Sequence, residues 1–319
     1  MDISNVDILL MSQIERQYLR LNNDIQLAYY CWNADDIDKP SLILVHGTGF
    51  VAATFHETAI LLRKHFRVYA YDRRGHGHSS KPDNAYELLD FAEDCVEFCQ
   101  ALALDKPYVV GHSAGGTDAL VAGSLFPGLF SRIFVMEPTV RDPSAKPRSL
   151  SQVGDLIAQS LAQTHRRRSV FDSKTHAIAN YREKPTFERW TSAALDAYVS
   201  DGFHECPDGS VELRCTPQIE AAILHPIYLT FQNAYFGDHR GDPFRALTTI
   251  QCPLAVSTST LSTPQFSELS ARMCKYFPAA LTITFNNVGH CVPQEDPTQL
   301  ASAVMAFSSD EAQPPVAQI

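Results

Sequence analysis

The sequence predicts an α/β protein in which a mostly parallel sheet, flanked by helices on both faces, is interrupted by a helical insertion. Three observations predict it. Apolar runs of strand length recur, beginning with Ser41-Leu-Ile-Leu-Val45, and such runs mark strands buried on both faces. They alternate with segments whose apolar residues return every three or four positions, the spacing of a helix face. The alternation stops near residue 141 and resumes at Pro253. A chain of 319 residues suits one large domain carrying such an insertion.

The elements follow in order. Residues 18–21 and 25–32 read as two strands around the turn Asn22-Asn23-Asp24. After the strand at 41–45, residues 54–66 read as a helix with Phe55, Ala59, Leu62 and Phe66 on one face, and 67–71 as a strand. Residues 87–104 form the next helix, 108–110 a strand, 116–126 a helix and 132–136 a strand. Residues 141–248 read as mainly helical, with helices at 150–164, 186–203 and 216–224 and a loop at Pro207-Asp-Gly209. The pattern closes with a strand at 253–256, a helix at 266–277, a strand at 281–285 and a helix at 297–307. The expected division is a core of 1–140 and 249–319 and a helical cap of 141–248.

Composition excludes several classes. The net charge is −10, which argues against a nucleic-acid partner and against an anionic membrane surface. Hydrophobic residues at 45% and charged residues at 19% exclude wholesale disorder. No stretch has the length of a membrane span, and the first residues lack the basic start of a secretory signal. The eight cysteines form no CxxC pair and read as free thiols of a reducing compartment, which points to the cytoplasm and away from zinc. The C-terminal tripeptide is a poor peroxisomal address. The partner expected is a small-molecule substrate, with no cofactor and no metal, and a homodimer is compatible with the chain.

Gly111-His112-Ser113-Ala114-Gly115 matches G-x-S-x-G between a strand and a helix, the context the motif requires. The small neighbours permit a sharp turn that lifts the Ser113 hydroxyl from the sheet and aims the Ala114 N–H at a developing oxyanion. A serine nucleophile needs a base. Val288-Gly289-His290 follows the strand at 281–285, and His290 is the only histidine after His239. A third group must orient the imidazole. Its usual place, after the strand at 253–256, holds no Asp or Glu through Pro264. The strand before the insertion ends in Glu137-Pro138, on the sheet edge where active sites of such folds gather, so Glu137 is the expected acid and Asp142 the fallback. His46-Gly47-Thr48-Gly49 follows the first buried strand. Thr48 is the expected second oxyanion donor, with Gly47 and Gly49 as alternatives. Phe50, His112, Trp190 and Tyr228 are candidates for the substrate pocket.

Together, His46-Gly47, Asp72-Arg73-Arg74-Gly75-His76-Gly77-His78-Ser79, the Ser113 motif and Gly289-His290 with Glu295-Asp296-Pro297 resemble the α/β-hydrolase superfamily. The resemblance spans residues 41–307. Phe134-Val-Met-Glu137-Pro138 looks like the branch whose catalytic acid follows strand six. Haloalkane dehalogenases, zearalenone-type lactonases and fungal hydrolases of polyketide or toxin pathways are similar, and Ser113 argues against dehalogenase chemistry. The resemblance implies a Ser-His-Glu hydrolase of esters, lactones or thioesters with a medium-sized, mostly apolar acyl part. Two other classes stay open: a cofactor-free lyase or cyclase with His290 as proton shuttle, and a binding protein without turnover. Arg166-Arg167-Arg168 is the one basic run. It reads as a solvated helix end, with a coenzyme A phosphate as the alternative partner.

Overall fold

In a computed structural model, residues 14–140, 150–238, 242–277 and 279–309 are described. The chain begins with β1 (Gln17–Arg20) and β2 (Gln26–Trp32), an antiparallel pair around the expected turn. There follow β3 (Ser41–Val45), α1 (His56–Leu62), β4 (Arg67–Tyr71), α2 (Leu88–Ala101), β5 (Tyr108–His112), α3 (Ala114–Leu125) and β6 (Arg132–Met136). The sheet resumes with β10 (Leu254–Ser259), α8 (Pro264–Tyr276), β11 (Leu281–Phe285), α9 (Val292–Glu295) and α10 (Pro297–Ser309). The eight strands lie in the order β1-β2-β4-β3-β5-β6-β10-β11, with β2 antiparallel to β1 and β4 and the rest parallel. β3 and β5 are buried along their whole length, which is why they read as unbroken apolar runs.

β6 and β10 are hydrogen-bonded neighbours, so everything between them is an insertion at one sheet edge. It holds α4 (Leu150–His165), β7 (Val170–Phe171), α5 (Lys174–Arg182), α6 (Ser192–Gly202), β8 (Phe203–Glu205), β9 (Val211–Leu213) and α7 (Pro217–Tyr235). The expectation of a mainly helical segment missed a three-stranded sheet, ordered β7-β9-β8. Its strands have two or three residues, too few for a two-residue period to appear. The loop at Pro207-Asp-Gly209 is the turn of the β8–β9 hairpin, with Gly209 at φ +84°. The helix expected over 186–203 starts only at Ser192, where the Thr191 side chain accepts from the Ala194 N–H as an N-cap. α7 runs well past the expected end, through Pro226.

One hydrophobic core joins the sheet to the insertion. Phe50, Phe55, Ile60 and Leu62 of the core pack in the same cluster as Phe171, Tyr181, Phe187, Trp190, Tyr198 and Phe203. Burying one large side chain of this kind contributes about 1.5–3 kcal/mol. All eight cysteines are free. Among the described residues no helix is long and apolar enough to cross a membrane. The C-terminal tripeptide and Asp142 lie outside the described residues.

Candidate active site

Ser113 occupies the one-residue turn between β5 and α3 with φ 52° and ψ −120°. Such a conformation is strained for a residue with a side chain and persists only where the surroundings impose it. Here the neighbouring glycines let the backbones close in. A Cβ on Gly111 would lie 2.5 Å from the Gly115 oxygen, and one on Gly115 would lie 2.3 Å from the Val45 oxygen. The Ser113 N–H donates to the Met136 carbonyl at 2.9 Å, which ties the turn to the end of β6. The side chain is half-buried at the same sheet edge as Glu137.

Glu137, directly after β6, is 1% exposed and also adopts a positive φ, 42°. Its carboxylate accepts three hydrogen bonds. Oε1 accepts from the Ser259 N–H at 2.9 Å. Oε2 accepts from the Ser262 hydroxyl at 2.6 Å and meets His290 Nδ1 at 2.7 Å. The last residue of β10 and the acid-free turn after it thus supply the donors that hold an acid coming from β6. Nδ1 bonded to a carboxylate leaves Nε2 of His290 for another partner. No hydrogen bond joins Ser113 Oγ to His290; in unliganded sites that contact commonly tightens only with substrate bound.

The His290 loop is held from several sides. Phe266 stacks on the imidazole with ring centres 3.8 Å apart and planes at 17°. His112 Nε2 meets the His290 carbonyl at 2.8 Å and therefore donates. Burial pushes the His112 pKa well down, which keeps that ring neutral. The Glu295 carboxylate accepts from the N–H groups of Gly289 at 2.7 Å and Cys291 at 3.2 Å. Arg189 of the insertion donates to the same carboxylate at 3.2 Å and to the Asn287 carbonyl at 2.5 Å. Ser259, Ser262, Phe266 and Arg189 carried no signal in the sequence. Glu295 lay within a quoted motif, but its role as a clamp on the histidine loop is visible only in three dimensions.

The loop after β3 rests on two buried histidines. His46 Nε2 accepts from the Arg73 N–H at 3.0 Å, and its Nδ1 donates to the Gly47 carbonyl at 2.8 Å. His76 Nε2 accepts from the Gly49 N–H at 2.9 Å, and its Nδ1 donates to the Arg74 carbonyl at 2.9 Å. Desolvation, reinforced by the Arg73 charge, holds His46 down at about 3; desolvation, with His46 beside it, holds His76 well below its ordinary value. With both ring nitrogens committed, His76 is no metal ligand. The Gly49 N–H is spent on His76, which removes Gly49 as an oxyanion donor. The N–H groups of Thr48 and Ala114 donate to no protein group among the described residues. A Cβ on Gly47 would stand 3.1 Å from Ser113 Cβ, so this loop lies against the serine.

Phe50 lines a cavity of about 700 Å³ that opens from Thr48 and Gly49 into the insertion. It also stacks on His112 at 6.0 Å. Trp190 is buried, edge-on to Phe50 at 5.1 Å, and is not among the residues lining that cavity. Tyr228 is half-buried on α7, its hydroxyl 2.8 Å from Ser160 Oγ, and does not line it either. Arg166, Arg167 and Arg168 do line it, so the basic run is more than a solvated helix end. Away from the site, His204, Cys206 and Glu212 bring ligand atoms within 4.8 Å of one another on the small sheet.

The sheet order, the turn at Ser113 and the insertion between β6 and β10 define an α/β-hydrolase fold. The model of the Alpha/beta hydrolase family matches residues 42–303, and the chain belongs to that family. It is 22% identical over 291 residues to the (E)-2-((N-methylformamido)methylene)succinate hydrolase of Acinetobacter baylyi, covering 91% of this chain and 96% of that protein. It is 33% identical over 100 residues to the 2-(acetamidomethylene)succinate hydrolase of Mesorhizobium japonicum, where the match spans 31% of this chain and only 36% of the relative. Both relatives are bacterial. Among solved structures, an E-2-(acetamidomethylene)succinate hydrolase superposes with a TM-score of 0.73 at 19% identity, covering 93% of this chain and 100% of that one. A thioesterase domain from the curacin biosynthetic pathway superposes with a TM-score of 0.71 at 19% identity, covering 92% and 99%.

Proposed function

We propose that the protein is a serine hydrolase whose triad is Ser113, His290 and Glu137. The observation that carries the reading is the 2.7 Å contact of His290 Nδ1 with the buried Glu137 carboxylate, at the sheet edge where Ser113 sits in a strained turn. Ser113 Oγ attacks the substrate carbonyl as His290 Nε2 takes its proton. Glu137 fixes the imidazole orientation and stabilises the imidazolium. The Thr48 and Ala114 N–H groups receive the oxyanion. His290 then returns the proton to the leaving group, and water, activated by the same imidazole, releases the acyl-enzyme. The insertion acts as a cap that shapes the pocket and limits water.

The substrate class is an ester, lactone or thioester of medium size. The curacin-pathway likeness supports a natural-product thioester or lactone, as does the resemblance to lactonases and polyketide-pathway hydrolases. The two succinate hydrolases support a substrate that carries carboxylates. A second reading, a lyase or cyclase with His290 as proton shuttle, is favoured by the open contact between Ser113 and His290 alone. A fluorophosphonate probe separates the two. Labelling of Ser113 that is lost in Ser113→Ala supports the hydrolase, and an unlabelled, active protein overturns it. Glu137→Gln is expected to lower kcat about 10⁴-fold with the fold intact, as loss of the triad acid does elsewhere. Near-normal turnover in that variant would remove Glu137 from the triad.

A further inference from the structure

The cavity that opens from the Thr48 loop is lined by four cationic side chains, Arg166, Arg167, Arg168 and Lys184, and by one carboxylate, Glu220. That balance is inverted relative to a chain whose net charge is −10. The four cations are not equally occupied. Arg167 pairs with Glu220. Arg168 donates to the Val170 carbonyl at 2.7 Å and lies over the Phe171 ring at 4.5 Å, with Asp172 3.9 Å away. Arg166 and Lys184 have no carboxylate partner among the described residues. Both are exposed at the cavity rim.

The cluster touches the loop that carries the proposed oxyanion donor. Arg167 Nη1 is 3.5 Å from where a Cβ on Gly49 would stand, one residue from the proposed Thr48 donor. A ligand in the cavity therefore meets both the Thr48–Gly49 loop and cationic side chains. Arg167 Nη1 already donates to one carboxylate oxygen of Glu220, and a guanidinium fork suits planar two-oxygen acceptors. Uncompensated cations around a partly enclosed space raise the local concentration of an anion and its affinity.

We propose that this cavity is an anion subsite that binds a carboxylate carried by the substrate at a distance from the bond that is cleaved. The orientation of the substrate, carbonyl toward Thr48 and carboxylate toward Arg166 and Lys184, rests on the serine-hydrolase reading. The existence of the subsite does not.

The test pairs two esters that differ only in a terminal carboxylate, 4-nitrophenyl hydrogen succinate and 4-nitrophenyl butyrate. The wild-type protein is expected to favour the anionic ester in kcat/KM, and the ratio is expected to fall about tenfold in Arg166→Gln/Lys184→Gln, chiefly through KM. Both side chains are exposed, so the double variant keeps its fold; Arg167→Gln is the second variant. The preference is also expected to shrink at about 1 M salt, where screening acts within 3 Å. No preference in the wild type, or an unchanged ratio in both variants, overturns the subsite. Calorimetric titration of Ser113→Ala with succinate and with inorganic phosphate reads the subsite without turnover. Succinate binding that is lost on adding Arg166→Gln/Lys184→Gln supports it even if neither ester is cleaved, in which case only the hydrolase reading fails. Cleavage without preference and without succinate binding leaves the hydrolase and removes the subsite. Tighter binding of phosphate than of succinate overturns the carboxylate assignment in favour of a phosphate-bearing group.

Discussion

The chain contains one pair of adjacent arginines, Arg73-Arg74, besides the basic run Arg166-Arg167-Arg168, and the fold treats the two groups in opposite ways. Arg73 and Arg74 are about as buried as any side chains in the molecule. Arg73 is gripped by Asp118, with Nε at 2.5 Å and Nη2 at 3.1 Å, and it lies over Phe91 at 4.2 Å. Arg74 holds both oxygens of Asp94 at 2.6 Å. Arg166, Arg167 and Arg168 surround an open cavity with fewer carboxylates than cations. A run of charge in a sequence therefore says nothing by itself. What separates a structural run from a binding run is how many counter-charges the topology brings to it from elsewhere in the chain.

That contrast can be broken at its strongest point first. Asp118→Ala leaves a buried guanidinium without its partner and is expected to cost about 3–5 kcal/mol, read as the midpoint of urea unfolding. A loss below about 1 kcal/mol would mean that the two runs are held alike. Acid should act on the same scaffold. His46 and His76 are kept neutral in the fold, with His46 at about 3, whereas both charge near 6.5 when unfolded. The unfolded chain then binds more protons between these values, so stability is fully present above pH 6.5 and is lost as pH falls, by about 1.4 kcal/mol per pH unit for each such histidine. Asp72, raised by burial to about 6, opposes part of this. Unfolding midpoints that stay level from pH 7 to pH 5 would contradict the histidine assignments. The smallest effect is expected in the insertion. Glu220→Gln should cost about 1–2 kcal/mol, because Arg167 is 31% and Glu220 12% exposed and the amide oxygen can still accept from Arg167, and it should tighten succinate binding by removing the cavity's one carboxylate.

The parts of the fold that were legible in the sequence share one property, that a single physical demand set many adjacent residues. Leu42 to Val45 are wholly buried and therefore wholly apolar. The turn at Ser113 needs glycine on both sides, and the sequence has it. The contact of Glu137 with His290 could be anticipated by elimination, since residues 253–264 hold no acid. What was illegible depends on partners far apart in the chain. Ser262 meets Glu137 across 125 residues, and Arg189 meets Glu295 across 106. The helix at Lys174–Arg182 buries only Ala177 and Tyr181, so it shows little periodicity. The side of the insertion that Arg166 to Arg168 face is likewise a fact of tertiary packing.

The separation of Glu137 from His290 has a consequence for synthesis. The two residues that meet at 2.7 Å are 153 positions apart, with the whole insertion between them. At a ribosomal rate of about 5–20 residues per second, Glu137 emerges roughly 8–30 s before its partner exists. Ser113, Glu137 and the whole insertion are all made before His290. A nascent or truncated chain that ends before His290 therefore lacks the proposed base for Ser113, however completely the rest of the sheet has formed.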